Sequence, residues 1–231
     1  MKNEDHSFSL LAAVILAGVI VACLPTTAHA KEKSRTRDGT FENSNGNSGT
    51  VSETTTRTKG ETTRDATRMN QNGQTSSRSS DRKFDKAAGT GTVDTTTTLA
   101  NGKTATRDGT FTKNADGTVT STGTATGVNG KTSAYAATTT KTADGSTTTG
   151  TITGENGKTA TLNSTTTRAD GQSTRDTTVT GPNGKTAERI ISTKLNGDGT
   201  GTRTVEITKP DGTKETRTET FTVTTSALPK K

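Results

Sequence analysis

The sequence predicts an all-β fold, in which tandem β-hairpins form an antiparallel meander or an elongated single-layer or solenoid-like sheet with a poorly ordered amino-terminal part. Three observations predict it. Turn-forming dipeptides recur every 13 to 14 residues, side chains alternate with a period of two between them, and threonine supplies 60 of the 231 residues. Threonine is β-branched and stiff, so it suits the pleated surface of a strand.

The turns are marked by a repeated tetrapeptide. Asn-Gly-Lys-Thr occurs four times at intervals of 28, 27 and 27 residues, and Asp-Gly pairs lie about halfway between the copies. Asn-Gly and Asp-Gly are strong hairpin signals, because a type I′ turn needs a positive φ at both central residues. The repeating unit is therefore a hairpin of about 27 residues, with turn positions at Asn101, Gly102, Asn129, Gly130, Asn156, Gly157, Asn183 and Gly184.

Between the turns, threonine occupies every second position. From Thr118 to Thr126 and from Thr216 to Thr224 the threonines alternate with a mixed set of residues. A period of two places the threonines on one face of a strand and the mixed residues on the other. About ten strands are expected between residues 89 and 226.

The composition leaves little material for a core. Hydrophobic residues make up 23% of the chain and the mean hydropathy is −0.79, against roughly 45–50% apolar residues in an ordinary domain. Each hairpin must then be stabilised by its neighbours and by backbone ladders. A transmembrane barrel needs an apolar outward face and aromatic girdles, which the single tyrosine and four phenylalanines after residue 30 do not supply. An open sheet or a narrow solenoid is expected instead.

Four segments are expected along the chain. Residues 1–30 form a signal peptide, 31–88 are degenerate repeats with a flexible basic linker, 89–226 are the tandem hairpin domain, and 227–231 are a disordered tail. The hexapeptide Thr-Arg-Asp-Gly-Thr-Phe occurs at residues 36–41 and again at 106–111, which relates the second segment to the third. The linker mixes arginine and lysine with acidic residues, and its charges are interpreted as a solubilising surface.

The amino terminus carries an export signal. An apolar run from Leu10 to Leu24 precedes Ala28-His29-Ala30, and a short run of this kind before an A-x-A site is typical of secretory signal peptides. We predict cleavage after Ala30. The alternative prediction is lipidation of Cys23, because Ile-Val-Ala-Cys resembles a bacterial lipobox. The chain is expected to be periplasmic, on the cell surface or secreted, with no transmembrane span in its mature form.

Catalytic chemistry is not expected. Cys23 is the only cysteine, and both histidines lie within the first 30 residues. The repeated Gly-Lys-Thr lacks the earlier glycine of a phosphate-binding loop, and single aspartates at the turns do not form a calcium site. The sequence therefore predicts a non-enzymatic protein without a cofactor or a metal.

The predicted function is a structural or surface-interaction role at the bacterial cell envelope or in the extracellular matrix. Removal of residues 1–30 raises the net charge from +7 to +8, so anionic envelope polymers are possible partners, as are copies of the chain itself. Nucleic acid is not expected, because aromatic residues do not interleave the basic ones. Two alternatives stay open: a self-assembling fibril subunit, and an ice- or lattice-binding protein, because the Thr-x-Thr rows resemble the threonine ladders of ice-binding proteins.

Overall fold

A computed structural model describes residues 32–227, which form fourteen β-strands. Each strand has 8 to 14 residues. The strands are β1 (Lys33–Asn43), β2 (Ser48–Thr58), β3 (Glu61–Asn70), β4 (Thr75–Asp85), β5 (Thr90–Thr98), β6 (Thr104–Lys113), β7 (Val119–Thr126), β8 (Thr132–Lys141), β9 (Gly145–Gly154), β10 (Thr159–Ala169), β11 (Gln172–Thr180), β12 (Thr186–Leu195), β13 (Thr200–Thr208) and β14 (Lys214–Ala227).

The strands form a closed antiparallel barrel. Each strand pairs with the next one along the chain, and β1 also pairs with β14 from Lys33 opposite Ala227 to Asn43 opposite Arg217. The prediction of an open meander, single-layer sheet or solenoid is therefore wrong. The hairpin order was predicted correctly, but the pairing of the first strand with the last gives the sheet an inside and an outside.

The amino-terminal part belongs to the same sheet. β3 and β4 occupy the segment predicted as a flexible linker, and they pair with each other and with β2 and β5. The prediction of a poorly ordered amino-terminal part is wrong for these residues. Their sequence lacks large apolar residues, but it keeps the alternation and the turns that a ladder needs. The proposed signal peptide with Cys23, Ala28 and Ala30, and residues 228–231, lie outside the described residues.

The alternation in sequence becomes an alternation between the two faces of the barrel wall. In β10, Ala160, Leu162, Ser164 and Thr166 are buried, and the residues between them are exposed. The same pattern runs through β7, β8 and β9. Most of the threonines in these strands therefore point outward, and the mixed residues point into the barrel.

The Asn-Gly turns share one geometry, represented by the loop between β5 and β6. The amide of Leu99 donates to the carbonyl of Lys103, the amide of Gly102 donates to the carbonyl of Leu99, and Asn101 Oδ1 accepts from the amide of Lys103. Gly102 has a φ of 77°, whereas the described non-glycine residue with a positive φ is Asp170. These loops are thus longer than the expected type I′ turn. Asp170-Gly171 is the pair in which both residues have a positive φ.

Large inward side chains lie against glycines on neighbouring strands. Phe221 of β14 is paired with Gly39 of β1 on one side and with Gly201 of β13 on the other. Phe84 and Phe111 both pair with Gly91, and their rings stack with centroids 5.8 Å apart. Each glycine thus leaves space on the inward face of the barrel for the aromatic ring of its cross-strand partner.

We expect Gly39→Ala to destabilise the barrel by about 1–3 kcal/mol, the usual cost of overpacking. A Cβ at this position would lie 2.0 Å from the carbonyl oxygen of Thr220 and 2.8 Å from the Cβ of Phe221. Urea unfolding followed by circular dichroism measures the change. Gly197→Ala is the matched control, because nothing lies within 4 Å of its added Cβ. Equal unfolding midpoints for the two variants would contradict the packing of Phe221 against β1.

Candidate functional site

Arginine is the principal charged residue on the inward face of the barrel. Glu53 and Glu219 are the carboxylates in the middle of that face, and Glu215, near a turn, pairs with Lys209. The strand register directs thirteen arginines inward: Arg35, Arg37, Arg57, Arg64, Arg68, Arg78, Arg82, Arg107, Arg168, Arg175, Arg189, Arg203 and Arg217. A guanidinium carries five N–H donors and a carboxylate accepts about four hydrogen bonds, so inward donors far exceed inward carboxylate acceptors.

Glu219 is the centre of an ion-pair network at the seam between the first and last strands. Its carboxylate contacts Arg68 and Arg217 at 2.9 Å and Arg37 and Arg203 at 3.5 Å. The side chain of Glu219 is 1% exposed. The four arginines come from β1, β3, β13 and β14, so one carboxylate connects strands on both sides of the seam.

The charges around Glu219 determine its ionisation. Burial alone raises the pKa of Glu219, but the positive charges of the four surrounding arginines, Arg203 first, outweigh that effect and hold the pKa below its ordinary value of 4.5. Glu53 behaves in the same way. Burial raises the pKa of Glu53, and Arg64 and then Arg37 bring it below the ordinary value. Both carboxylates are therefore ionised at neutral pH.

Several inward arginines also cover aromatic rings. The guanidinium carbon lies 4.9 Å from the ring centroid for Arg37 over Phe221, 4.4 Å for Arg68 over Phe41, 4.2 Å for Arg82 over Phe111 and 4.8 Å for Arg107 over Tyr135. Such cation–π contacts partly replace the hydration that a buried guanidinium loses. Each of these rings therefore has an arginine above it.

The surplus of arginines has an electrostatic cost. Burial lowers the pKa of Arg78 and of Arg189, and the like charges of neighbouring arginines lower it further, to about 10 in each case. The buried Nε atoms of Arg37, Arg68, Arg107 and Arg217 have no hydrogen-bond partner. The arginine-lined interior thus carries an excess of positive charge that an anion would offset.

The outward face has a different character in the sector from β7 to β10. Its residues form the threonine panel, which contains threonine, two alanines and one asparagine: Thr120, Thr122, Thr124, Thr126, Thr132, Ala134, Ala136, Thr138, Thr140, Thr147, Thr149, Thr151, Thr153, Thr159, Thr161, Asn163, Thr165 and Thr167. None of these side chains is charged.

The threonine panel is arranged in rows across the strands. Thr120, Thr138, Thr149 and Asn163 are successive cross-strand partners from β7 to β10. Repeats along a strand are about 6.6–6.8 Å apart and neighbouring strands are about 4.7–4.9 Å apart. Behind the panel, uncharged buried residues fill the inward face, both small ones such as Ser121 and large ones such as Tyr135 and Leu162. The panel is therefore a regular array of hydroxyl and methyl groups on a packed support.

Acidic residues mark the outward face outside the threonine panel. Asp108 on β6 and Asp176 on β11 flank it, because they pair with Thr124 and Thr165 across the panel boundaries. Further outward carboxylates follow around the wall: Asp38, Asp65, Asp81, Asp94, Glu188 and Glu206. Charge is therefore largely segregated across the wall, with the strand arginines inside and the strand carboxylates other than Glu53, Glu215 and Glu219 outside.

The residues that the sequence analysis singled out coincide only in part with the arginine-lined inward face and the threonine panel. The four Asn-Gly pairs lie in loops at one end of the barrel. The basic segment interpreted as a mixed-charge surface is different in the structure: Arg64, Arg68, Arg78 and Arg82 face inward, and the acids between them, such as Asp65, face outward. The sequence contains the signal for this orientation. In β4, for example, Arg82 alternates in step with the apolar Phe84, and Asp81 belongs to the intervening set of positions.

Comparison with known proteins adds no assignment. No protein-family model matches the chain, and no curated protein matches it significantly. Within residues 32–227, no three His, Cys, Asp or Glu side chains group so as to hold a metal ion. The part of the chain that the structure describes has no helix that is both long and apolar enough to span a membrane.

We expect Glu219→Gln to destabilise the protein by about 3–5 kcal/mol, because it leaves buried arginines uncompensated. The pKa of Glu219 is lowered by folding, so its contribution is complete above about pH 4.5 and is lost as the pH falls through the folded-state value. Urea unfolding between about pH 6 and about pH 3 measures both effects.

The matched control for Glu219→Gln is Glu206→Gln, the same substitution on the outward face of β13. It should change the unfolding free energy by less than about 0.5 kcal/mol. The acid-dependent loss of stability should be smaller in Glu219→Gln than in the unmodified protein. Identical pH profiles in the two proteins would refute the network around Glu219.

Proposed function

We propose that the protein is an exported, non-enzymatic β-barrel with a structural or surface-interaction role at the bacterial cell envelope or in the extracellular matrix. The threonine panel is its contact surface in this proposal. The single observation that carries it is the panel itself, an uncharged and regular face on an otherwise charged barrel wall. The apolar run before Ala28-His29-Ala30 supports the export.

The carboxylates on the outward face support the proposal that the exterior of the barrel is in contact with water. Strands that face lipid carry an apolar band on their outward side, whereas Asp65, Asp94 and Asp108 lie on the outward side in the middle of their strands. A hydroxyl-rich face in water makes contacts by hydrogen bonds and by its methyl groups. Such a face suits hydrated polymers of the envelope or matrix.

The panel suits an extended, regular partner because its side chains are pre-ordered. Threonine has few χ1 rotamers, and some hydroxyls of the panel already contact one another: the Oγ1 atoms of Thr126 and Thr132 are 3.0 Å apart, and those of Thr153 and Thr159 are 3.2 Å apart. Binding would therefore cost little side-chain entropy. A regular polymer could then repeat one weak contact along the rows.

We expect the double variant Thr151→Lys/Thr161→Lys to lose binding to purified peptidoglycan sacculi in a co-sedimentation assay. The two threonines are direct cross-strand partners in the panel and both are exposed, so two lysines interrupt the uncharged array. The matched control is Thr92→Lys/Thr110→Lys, a directly paired and exposed couple on β5 and β6. Sedimentation of the panel variant equal to that of the control would reject the panel as the contact surface.

Binding to an ordered lattice such as ice is a second candidate, and the rows of the panel favour it. Asp176 and Glu188, which interrupt the threonine pattern in the sequence, lie on β11 and β12 outside the panel. Only Asn163 departs from threonine and alanine within it. Inhibition of ice recrystallisation by the unmodified protein, abolished in Thr151→Lys/Thr161→Lys, is the expected result; no inhibition at millimolar concentration would dismiss this candidate.

The fibril alternative rested on terminal strands with free edges. In the described barrel, the backbone groups of β1 and β14 that would form those edges pair with each other. Addition of another chain at this point would require the seam to open. The fibril role is therefore not part of the proposal.

A further inference from the structure

The geometry points to an oxyanion site at one end of the barrel interior, where Lys33, Arg35, Arg57 and Arg64 of β1, β2 and β3 receive phosphate groups. These four residues define the basic mouth. The site lies on the inward face, so it is independent of the threonine panel and of the function proposed for it.

The strand register brings the four side chains together. Lys33 is opposite Arg57 across β1 and β2, and Arg35 and Arg64 are both opposite Thr55. All four residues are exposed, and the side chain of Arg64 is 51% exposed. They lie at the end of the barrel opposite the Asn-Gly turns, because β1 begins there and β2 ends there. Solvent therefore reaches this part of the inward face.

The residues behind the basic mouth supply further positive charge. Arg37 is 11% exposed and donates to Glu53 at 3.2 Å, and Glu53 also pairs with Arg64. Arg68 lies one step deeper and pairs with Glu219. The inward faces of β1, β2 and β3 thus hold six cationic side chains and one carboxylate, Glu53.

The chemistry of these groups selects an oxyanion. A guanidinium presents planar, forked donors that match two oxygens of a phosphate. Glu53 holds Arg37 and Arg64 in place from one side and leaves the exposed donors of Arg64 for a ligand. The Nε atoms of Arg37 and Arg68 are buried without a hydrogen-bond partner, so the interior behind the mouth has donor capacity that two carboxylates do not fill.

The phosphate could be a free ion or part of a polymer of the envelope. Both sources present the same tetrahedral oxyanion, and a polymer adds affinity through several groups at once. Titration calorimetry with inorganic phosphate and with long-chain polyphosphate, at fixed ionic strength in chloride buffer, separates them. Saturable binding of either probe is expected, and tighter binding of the chain form would identify a polymer as the source.

The triple variant Arg35→Gln/Arg57→Gln/Arg64→Gln should weaken that binding by at least about tenfold, the factor expected for loss of charge-assisted hydrogen bonds. The matched control removes three lysines from the turns at the opposite end, Lys103→Gln/Lys131→Gln/Lys158→Gln, and should bind as the unmodified protein does. Arg57→Gln alone, at an exposed position, gives a second variant whose folding is checked by circular dichroism.

Three results would overturn the site. The first is an absence of saturable binding for both phosphate probes in the unmodified protein. The second is an equal loss of affinity in the lysine control, which would mean that binding reflects the overall charge. The third is unchanged affinity in folded variants of the basic mouth. Failure of the sacculus experiment with intact phosphate binding would reject only the role of the threonine panel.

Discussion

The pairing of β1 with β14 is the constraint on which the rest of the structure depends. A sheet with so few apolar residues cannot bury one face against a second layer, so it buries that face by closing on itself. Phe221 lies between Gly39 and Gly201 at this seam, and Glu219, two residues earlier on the same face, connects Arg37 with Arg203 across it. Hydrophobic packing and ion pairing thus reinforce each other where the ends of the sheet meet.

Closure also gives the alternating sequence its two environments. Arginine is tolerated inside because its guanidinium can pair with a carboxylate, cover a ring or point to an open end, as Arg203, Arg107 and Arg64 do respectively. Most threonines and most acidic residues of the strands face outward, where hydration satisfies them. The sector from β7 to β10 differs on both faces: its interior is filled by uncharged residues, including the buried Tyr135 and Leu162, and its exterior is the threonine panel. The proposed anion site and the proposed contact surface therefore lie on different parts of one wall.

The sequence was sufficient for the hairpin strands from β5 to β14 and their order, but not for the formation of β3 and β4 or for closure. The turns at Asn101 and Asn156 and the period of two place the hairpins correctly, because both signals act within a few residues. Gly39 and Phe221, which pair across the seam, lie near opposite ends of the chain, and no local sequence pattern predicts their pairing. An apolar outward face is the sequence signal of lipid-facing barrels, whereas this barrel carries threonine and carboxylates on its outward face, so that signal does not indicate closure here. The inward orientation of the arginines could have been predicted from the sequence. In β1, Arg37, Gly39 and Phe41 occupy alternate positions and therefore one face, and Asp38 and Thr40 occupy the other face.

Amide hydrogen exchange, resolved by residue with NMR, tests closure most directly. Every second amide of β1 donates towards β14 and the others donate towards β2, so closure predicts slow exchange at both sets, at rates like those of β9 and β10. The amides of β14 that face β1, such as those around Phe221, should be protected equally. Fast exchange confined to the β1 amides that face β14, and to their partners in β14, would show an open sheet with two free edges and would contradict the barrel.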